Sequence, residues 1–206
     1  MINLNSKKAA MFGLDARIAL AIFGALSIIS GASLYSAIQN SKATQLLANL
    51  NELGKAWEQM YIDTGYYPDV FDSNPSFSLH YEFRSDGLLS DDSRFGWNGP
   101  YINNMTISGA RSSHPIYGQA IFGSYEVDDN WYEKTSTDAR CDTAGEKCAI
   151  WVGFDGIDSA DLLINLDVLV DGSGISLGRQ KGSIRYQVNT STPYRATVLF
   201  KYGPFH

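Results

Sequence analysis

The residues best suited to chemistry in this chain are few. Cys141 and Cys148 are its two cysteines, separated by six residues of small and polar type. An even, close pair across a turn-like stretch (Asp142, Thr143, Ala144, Gly145) reads as a disulfide where the compartment is oxidising. A metal pair is disfavoured, because no other Cys or His lies nearby in sequence. Of the three histidines, His80 and His114 are isolated and His206 is the last residue. No Ser/His/Asp set, phosphate loop, His-containing metal motif or suggestive carboxylate pair stands out, so a membrane-tethered enzyme ranks last among the readings. Asp and Gly residues at 155–158 and 167–174 offer the carboxylate and carbonyl oxygens that hard cations take. Asp128, Asp129, Asp155 and Asp158 are therefore candidate calcium ligands. No Asp-x-Asp-x-Asp-Gly loop with a following Glu is present, and Asp158, Asp161 and Asp171 are equally explained by helix capping and turns. The expectation is a chain with no resident cofactor, calcium being the one candidate.

The charge balance narrows the partners. Sixteen Lys and Arg against 22 Asp and Glu leave a formal net charge of −6. The longest basic run is the Lys7-Lys8 pair, so nucleic acid is not an expected partner. Arg179, Lys181 and Arg185 are scattered over an expected strand and read as solvated.

The elements that must position these residues begin with an apolar segment. Ile18 to Ile38 carries no charge over 21 residues. As a helix it spans about 31 Å, close to the hydrocarbon thickness of a bilayer. Lys7, Lys8 and Arg17 precede it, which predicts an N-in, C-out orientation. Gly24, Ala25, Ser27, Ser30, Gly31, Ala32 and Ser33 permit close helix–helix approach. A plain signal-anchor helix fits the same hydropathy, and a cleavable secretory signal would place its site near Ser33 to Ala37. The pattern does not stop there, however. Ala43, Leu46, Leu47, Leu50, Leu53, Ala56, Trp57, Met60 and Tyr61 recur at spacings of three and four, opposite Lys42, Gln45, Asn49, Glu52, Lys55 and Glu58. Thr64-Gly65 and then Pro68 supply the stop. One helix over residues 11–63, on the order of 80 Å long, is the expectation. Asp15, just ahead of the apolar run, is costly beside lipid unless it gains a partner.

Lys7-Lys8-Ala9-Ala10, then Met11-Phe12-Gly13-Leu14-Asp15 and the apolar run, resemble the type IV prepilin family. Tyr61-Ile-Asp-Thr-Gly-Tyr-Tyr-Pro68 is similar to the end of the long helix in type II secretion pseudopilins. Trp97-Asn-Gly-Pro-Tyr-Ile102, with Leu88-Leu89 before it, resembles the Trp-x-Gly-Pro-Tyr signature of the major pseudopilin group. The resemblance implies a leader over residues 1–10, cleaved by prepilin peptidase between Ala10 and Met11, and N-methylation of the new Met11 amine. Asp15 then stands at the fifth mature position, where it would pair with the Met11 amine of a neighbouring subunit. The family usually has Gly before the cut and Glu at position five; Ala10 and Asp15 depart from that pattern. The implied partners are other pilin or pseudopilin subunits, the peptidase, an inner-membrane assembly platform and, before assembly, the lipid bilayer. The implied location is the bacterial inner membrane, with the globular part in the periplasm and a periplasmic or extracellular filament after assembly.

Residues 64–206 are expected to form the globular domain. Ile116, Tyr117, Ala120, Ile121, Phe122, Tyr125 and Val127 alternate as a strand does, and Ala149 to Val152 continue the pattern after Cys148. Asp158 or Ser159 is the N-cap of a short helix whose stripe is Leu162, Leu163, Leu166, Leu169 and Val170, ended by Gly172. Gly182–Asn189 and Tyr194–Tyr202 are two final strands. Trp97 to Ile102 reads locally as a tight turn holding a buried Trp. The fold class is thus α+β: a long N-terminal helix, half transmembrane and half amphipathic, packed on a C-terminal antiparallel sheet, the pilin fold by resemblance. The leading function is a structural subunit of a secretion pseudopilus or type IV pilus-like filament. The alternative is a minor pilin or tip adhesin that contacts glycan or a surface through aromatics such as Trp131 and Tyr132.

Overall fold

The computed structural model describes residues 5–72, 82–91, 93–127, 141, 145–172, 182–189 and 195–204. Its first element is a single helix, α1, Asn5–Thr64. Asn5 to Ala10 extend it ahead of the expected start, as a run of Lys and Ala favours helix. Its end follows the expected stop: the Gly65 N–H donates to the Tyr61 carbonyl at 2.8 Å, Gly65 takes the left-handed φ of 72° that glycine adopts freely, and the Thr64 hydroxyl donates to the Met60 carbonyl. Contacts divide the chain into two compact units, Met1–Ser41 and Lys42–His206. The striped half of α1 therefore belongs to the same unit as the strands.

Within that second unit the strands are β1 (Val70–Asp72), β2 (Glu82–Phe83), β3 (Thr106–Ser108), β4 (Arg111–His114), β5 (Gly118–Glu126), β6 (Cys148–Ile157), β7 (Ile184–Asn189) and β8 (Arg195–Pro204). They form one sheet in the order β1-β2-β5-β6-β8-β7, with the β3–β4 hairpin attached to β5. Every pairing is antiparallel. The short strands β1 to β4 went unread in the sequence because two to four residues carry no usable period. Ile116, expected in a strand, sits exposed in the turn between β4 and β5.

The chemistry of one α1 face explains why the helix lies on this sheet. Ala43, Leu46, Leu50, Leu53, Ala56, Trp57 and Met60 are all buried against it, and each large side chain contributes about 1.5–3 kcal/mol by leaving water. Trp57 is the hub of the packing, with ring centroids 4.8 Å from Phe83 and 5.6 Å from Phe122. Gly54 brings the helix close to β8, where the Tyr202 ring fills the space that a Cβ would need. The other sheet face carries its own buried cluster of Ile121, Tyr125, Ala149, Trp151 and Leu199. There the Arg185 guanidinium lies 4.8 Å from the Trp151 ring centroid. Arg185 is thus buried on aromatic surface, where the sequence reading had it solvated.

The segment between the 3-10 turn Asp86–Leu88 and β3 is held by specific bonds. The Trp97 indole N–H donates to the Gly87 carbonyl at 2.8 Å, and the Tyr101 N–H to the Leu88 carbonyl at 2.8 Å. Trp97 meets Tyr101 edge-on, and Gly99-Pro100 is a cis peptide. Trp97 is half-buried, with Leu88 and Ile102 the deeper anchors, so the expected buried Trp is only partly so.

Helix α2, Ala160–Asp171, is capped by Ser159, whose hydroxyl accepts the Leu162 N–H, and ends at Gly172 with φ 70°. Its buried residues are Leu162, Leu163, Leu166 and Asp167, while Leu169 is half exposed. The stripe is rolled away from Leu169 because Asp171 ties the opposite edge to β7, accepting the Ser183 and Ile184 N–H groups at 2.8–3.0 Å. Asp167 is carried inside on that edge with no hydrogen-bond partner for either oxygen among the described residues. Burial first, and then the charge of Asp171, push its pKa up from 3.8 to about 6. An acid with a raised folded pKa favours the fold while protonated and costs stability as pH rises from its unfolded value through the folded one. Asp167→Asn is therefore expected to stabilise the domain by about 1–3 kcal/mol at pH 7.5 and by little at pH 4. Chemical denaturation at both pH values is the check, and a pH-independent difference would refute the account.

Candidate functional site

The first unit presents the feature with the clearest demand on a partner. From Gly13 to Ser41 the residues of α1 are exposed at all but two positions.

 Gly24 and Gln39 are the two half-exposed positions, and Leu20, Phe23, Ile28 and Ile29 are each more than 60% exposed. A Cβ built on Gly24 or Gly31 would meet nothing within 4 Å. In water each of the large side chains forgoes about 1.5–3 kcal/mol of burial, so the segment calls for lipid or for other helices. This helix, near the N-terminus, is long and apolar enough to cross a membrane. Its small residues leave room for a second backbone to approach.

Ala10, Met11 and Asp15 all lie within α1. Met11 and Asp15 are four residues apart along α1, about one helical turn. The Asp15 side chain is exposed, as is Arg17, which points to a different side at a spacing of two. The helix therefore presents a carboxylate about one turn after Met11 and three residues before the uncharged run that starts at Ile18. An ionised group in that position is available to a cationic partner and is a liability in lipid without one.

Cys141 and Cys148 are joined in a disulfide, with Cα atoms 5.8 Å apart. Cys148 opens β6, pairing with Glu126 at the end of β5, and the Val127 N–H donates to the Lys147 carbonyl at 2.8 Å just outside that pair. The bond therefore closes a short loop at the end of the central hairpin. Glu146 lies beside the two sulfurs, and these three are the one group of potential metal donors found among the described residues. Sulfurs bonded to each other are not thiolates, so the group offers no metal site in this state. The loop-closure relation assigns about 2.5 kcal/mol to a bridge of this span. Replacing both cysteines by serine is expected to lower unfolding free energy by that order, read from denaturant melts. A double variant as stable as the parent would show that the strands alone hold this end.

Of the calcium candidates, Asp155 accepts a hydrogen bond from the Thr197 hydroxyl at 3.1 Å. Asp158 is exposed ahead of the Ser159 cap. Neither belongs to a group of three potential donors among the described residues. Asp128, Asp129, Trp131 and Tyr132 lie outside the described residues. His114 has its Nδ1 lone pair engaged by the Ile116 and Tyr117 N–H groups at 3.1 and 3.3 Å, and its ring is stacked on Tyr117. Burial lowers its pKa against the opposing pull of Glu52, so the imidazole is held neutral as an acceptor within its own turn.

Two clefts of the second unit escaped the sequence reading. One, about 310 Å³, is bordered by Asp69, Arg84, Asp86 and Arg94; Arg84 pairs with Asp86 and Arg94 with Asp69. The other, about 270 Å³, is walled by aromatic residues of α1 and β8 together with Tyr67. Both gather residues far apart in the chain, so no local motif announces them. Comparison with family models, with curated proteins and with solved structures found no match to this chain.

Proposed function

We propose that the chain is a structural subunit of a type IV pilin-like filament, either a type II secretion pseudopilus or a related pilus. The observation that carries this reading is the division of labour along α1. Its second half buries an apolar stripe against the sheet, while the side chains of its first half are apolar and uncovered. A filament core built from first halves packed together would cover that surface, and a bilayer would cover it beforehand. A plain membrane anchor needs only the apolar span and has no use for continuation into a domain's core.

The proposed maturation follows from the residues around Met11. Prepilin peptidase cuts between Ala10 and Met11 and leaves the apolar helix in place. The freed Met11 amine, N-methylated, then meets the Asp15 carboxylate of an adjacent subunit, removing an uncompensated charge from the apolar core. Lys7, Lys8 and Arg17 hold the N-terminal side in the cytoplasm, which sends the globular unit to the periplasm. An oxidising periplasm suits the Cys141–Cys148 bond. The partners in this scheme are copies of this or related subunits and the inner-membrane assembly platform.

Mass spectrometry of the chain recovered from its native membrane tests the maturation step. Loss of residues 1–10 and addition of one methyl group at Met11 are the expected result; an intact leader, or a start beyond Ile38, would overturn it. Asp15→Ala is expected to be processed normally while filament yield in sheared preparations falls at least about tenfold, the scale expected when a desolvated ion pair loses one partner. Filaments of normal yield from this variant would remove Asp15 from the scheme.

A further inference from the structure

We infer that the aromatic cleft between α1 and the ends of β6 and β8 is a binding site for a compact organic cation, an alkylated ammonium head. The cleft is bordered by Trp57, Glu58 and Tyr61 from α1, Ile150 from β6, and Tyr202 to Pro204 from β8, with Tyr67 between. All of these belong to the second compact unit. The inference does not rest on the filament reading.

The walls are organised rather than merely apolar. Tyr61 and Tyr67 are stacked with centroids 4.4 Å apart, and Tyr67 stacks in turn against Trp57 at 5.8 Å. Across the cleft the Tyr202 hydroxyl donates to Glu58 Oε2 at 3.0 Å, so the carboxylate is held beside the aromatic walls. Among the described residues bordering the cleft, Glu58 is the one with a carboxylate or cationic group, and the whole chain carries a net charge of −6. Aromatic faces attract a cation through their quadrupole, and a neighbouring carboxylate adds direct attraction. An anion would meet repulsion from both.

A neutral sugar fits less well. Ring hydroxyls need several polar partners, whereas the Tyr202 hydroxyl already donates its hydrogen bond to Glu58. Trp57 Nε1 is buried, with no hydrogen-bond partner among the described residues, and is sealed from the space where a sugar would sit. The cleft, at about 270 Å³, suits a single head group in preference to an extended ligand.

Choline provides the test, with dimethylbutanol as its uncharged isostere of the same shape. The full chain, in an uncharged polyoxyethylene detergent free of choline heads, is titrated while its tryptophan emission is followed. Saturable binding of choline is expected, with the isostere at least about tenfold weaker. Glu58→Gln retains an oxygen to accept the Tyr202 hydroxyl and is expected to weaken choline by about fivefold; Tyr61→Ala, which removes an exposed wall, by about threefold. Unchanged melting temperatures of both variants establish that the fold is intact. Equal affinity for choline and its isostere, or unchanged affinity in Glu58→Gln, would overturn the assignment. Phosphocholine distinguishes a lipid head from a free cation: its phosphate brings negative charge towards Glu58, and weaker binding than choline is expected. Binding as tight as that of choline would overturn the assignment to a free cation.

Discussion

The second unit depends on the burial of one α1 stripe against the sheet, and Trp57 is the centre of that contact. Its indole meets Phe83 of β2, Phe122 of β5 and Tyr67 from the connection after the helix. Short strands such as β2 have little pairing of their own and owe their position to such contacts. The indole N–H has no partner among the described residues, a cost of about 1–3 kcal/mol that the surrounding apolar burial outweighs. The same ring stands behind the aromatic cleft. The contact that fixes the helix thus also fixes the Tyr67 wall.

Close approach is the second constraint, and glycine permits it at selected places. Gly54 lets Tyr202 lie against the helix, and Gly96 lets its loop reach the Asp63 carbonyl at the helix end with a φ of 88°. On the far face of the sheet, Gly123 leaves the space taken by the Tyr125 ring, and Gly153 that taken by the Val198 carbonyl and Leu199. Large aromatic rings and missing side chains are therefore matched across neighbouring positions, as a densely packed interior requires.

Long periodic segments were legible in the sequence, and residues governed by distant partners were not. The stripe from Ala43 to Met60 repeats over several turns, so local physics and tertiary packing agree. Strands β5 to β8 and helix α2 with Gly172 at its end carry similar repetition or punctuation. Leu169 failed because its helix is rolled by Asp171, whose hydrogen-bond partners lie at and just before the start of β7, twelve or more residues away. Arg185 failed because its setting depends on Trp151 in a different strand. The disulfide was read from spacing, since a turn-like gap of six residues keeps two cysteines close. The aromatic cleft left no trace in the sequence, because it unites α1 with Tyr202 at a separation of 144 residues from Glu58.

The strand order carries a consequence for how the sheet comes into being. β8 follows β7 in the chain yet lies between β6 and β7 in space. When synthesis has reached only Asn189, β7 has no neighbour in the sheet, and the free edge of β6 remains open along its length. From β3 onward each new strand adds to the last one made only as far as β6, and the sheet closes in a late event. That event joins β7 and β8 to the centre and seats Tyr202 on a helix made some 144 residues earlier. Until it occurs the nascent protein exposes the β6 edge to any other unpaired strand, so an interval of vulnerability to misassociation is built into the topology.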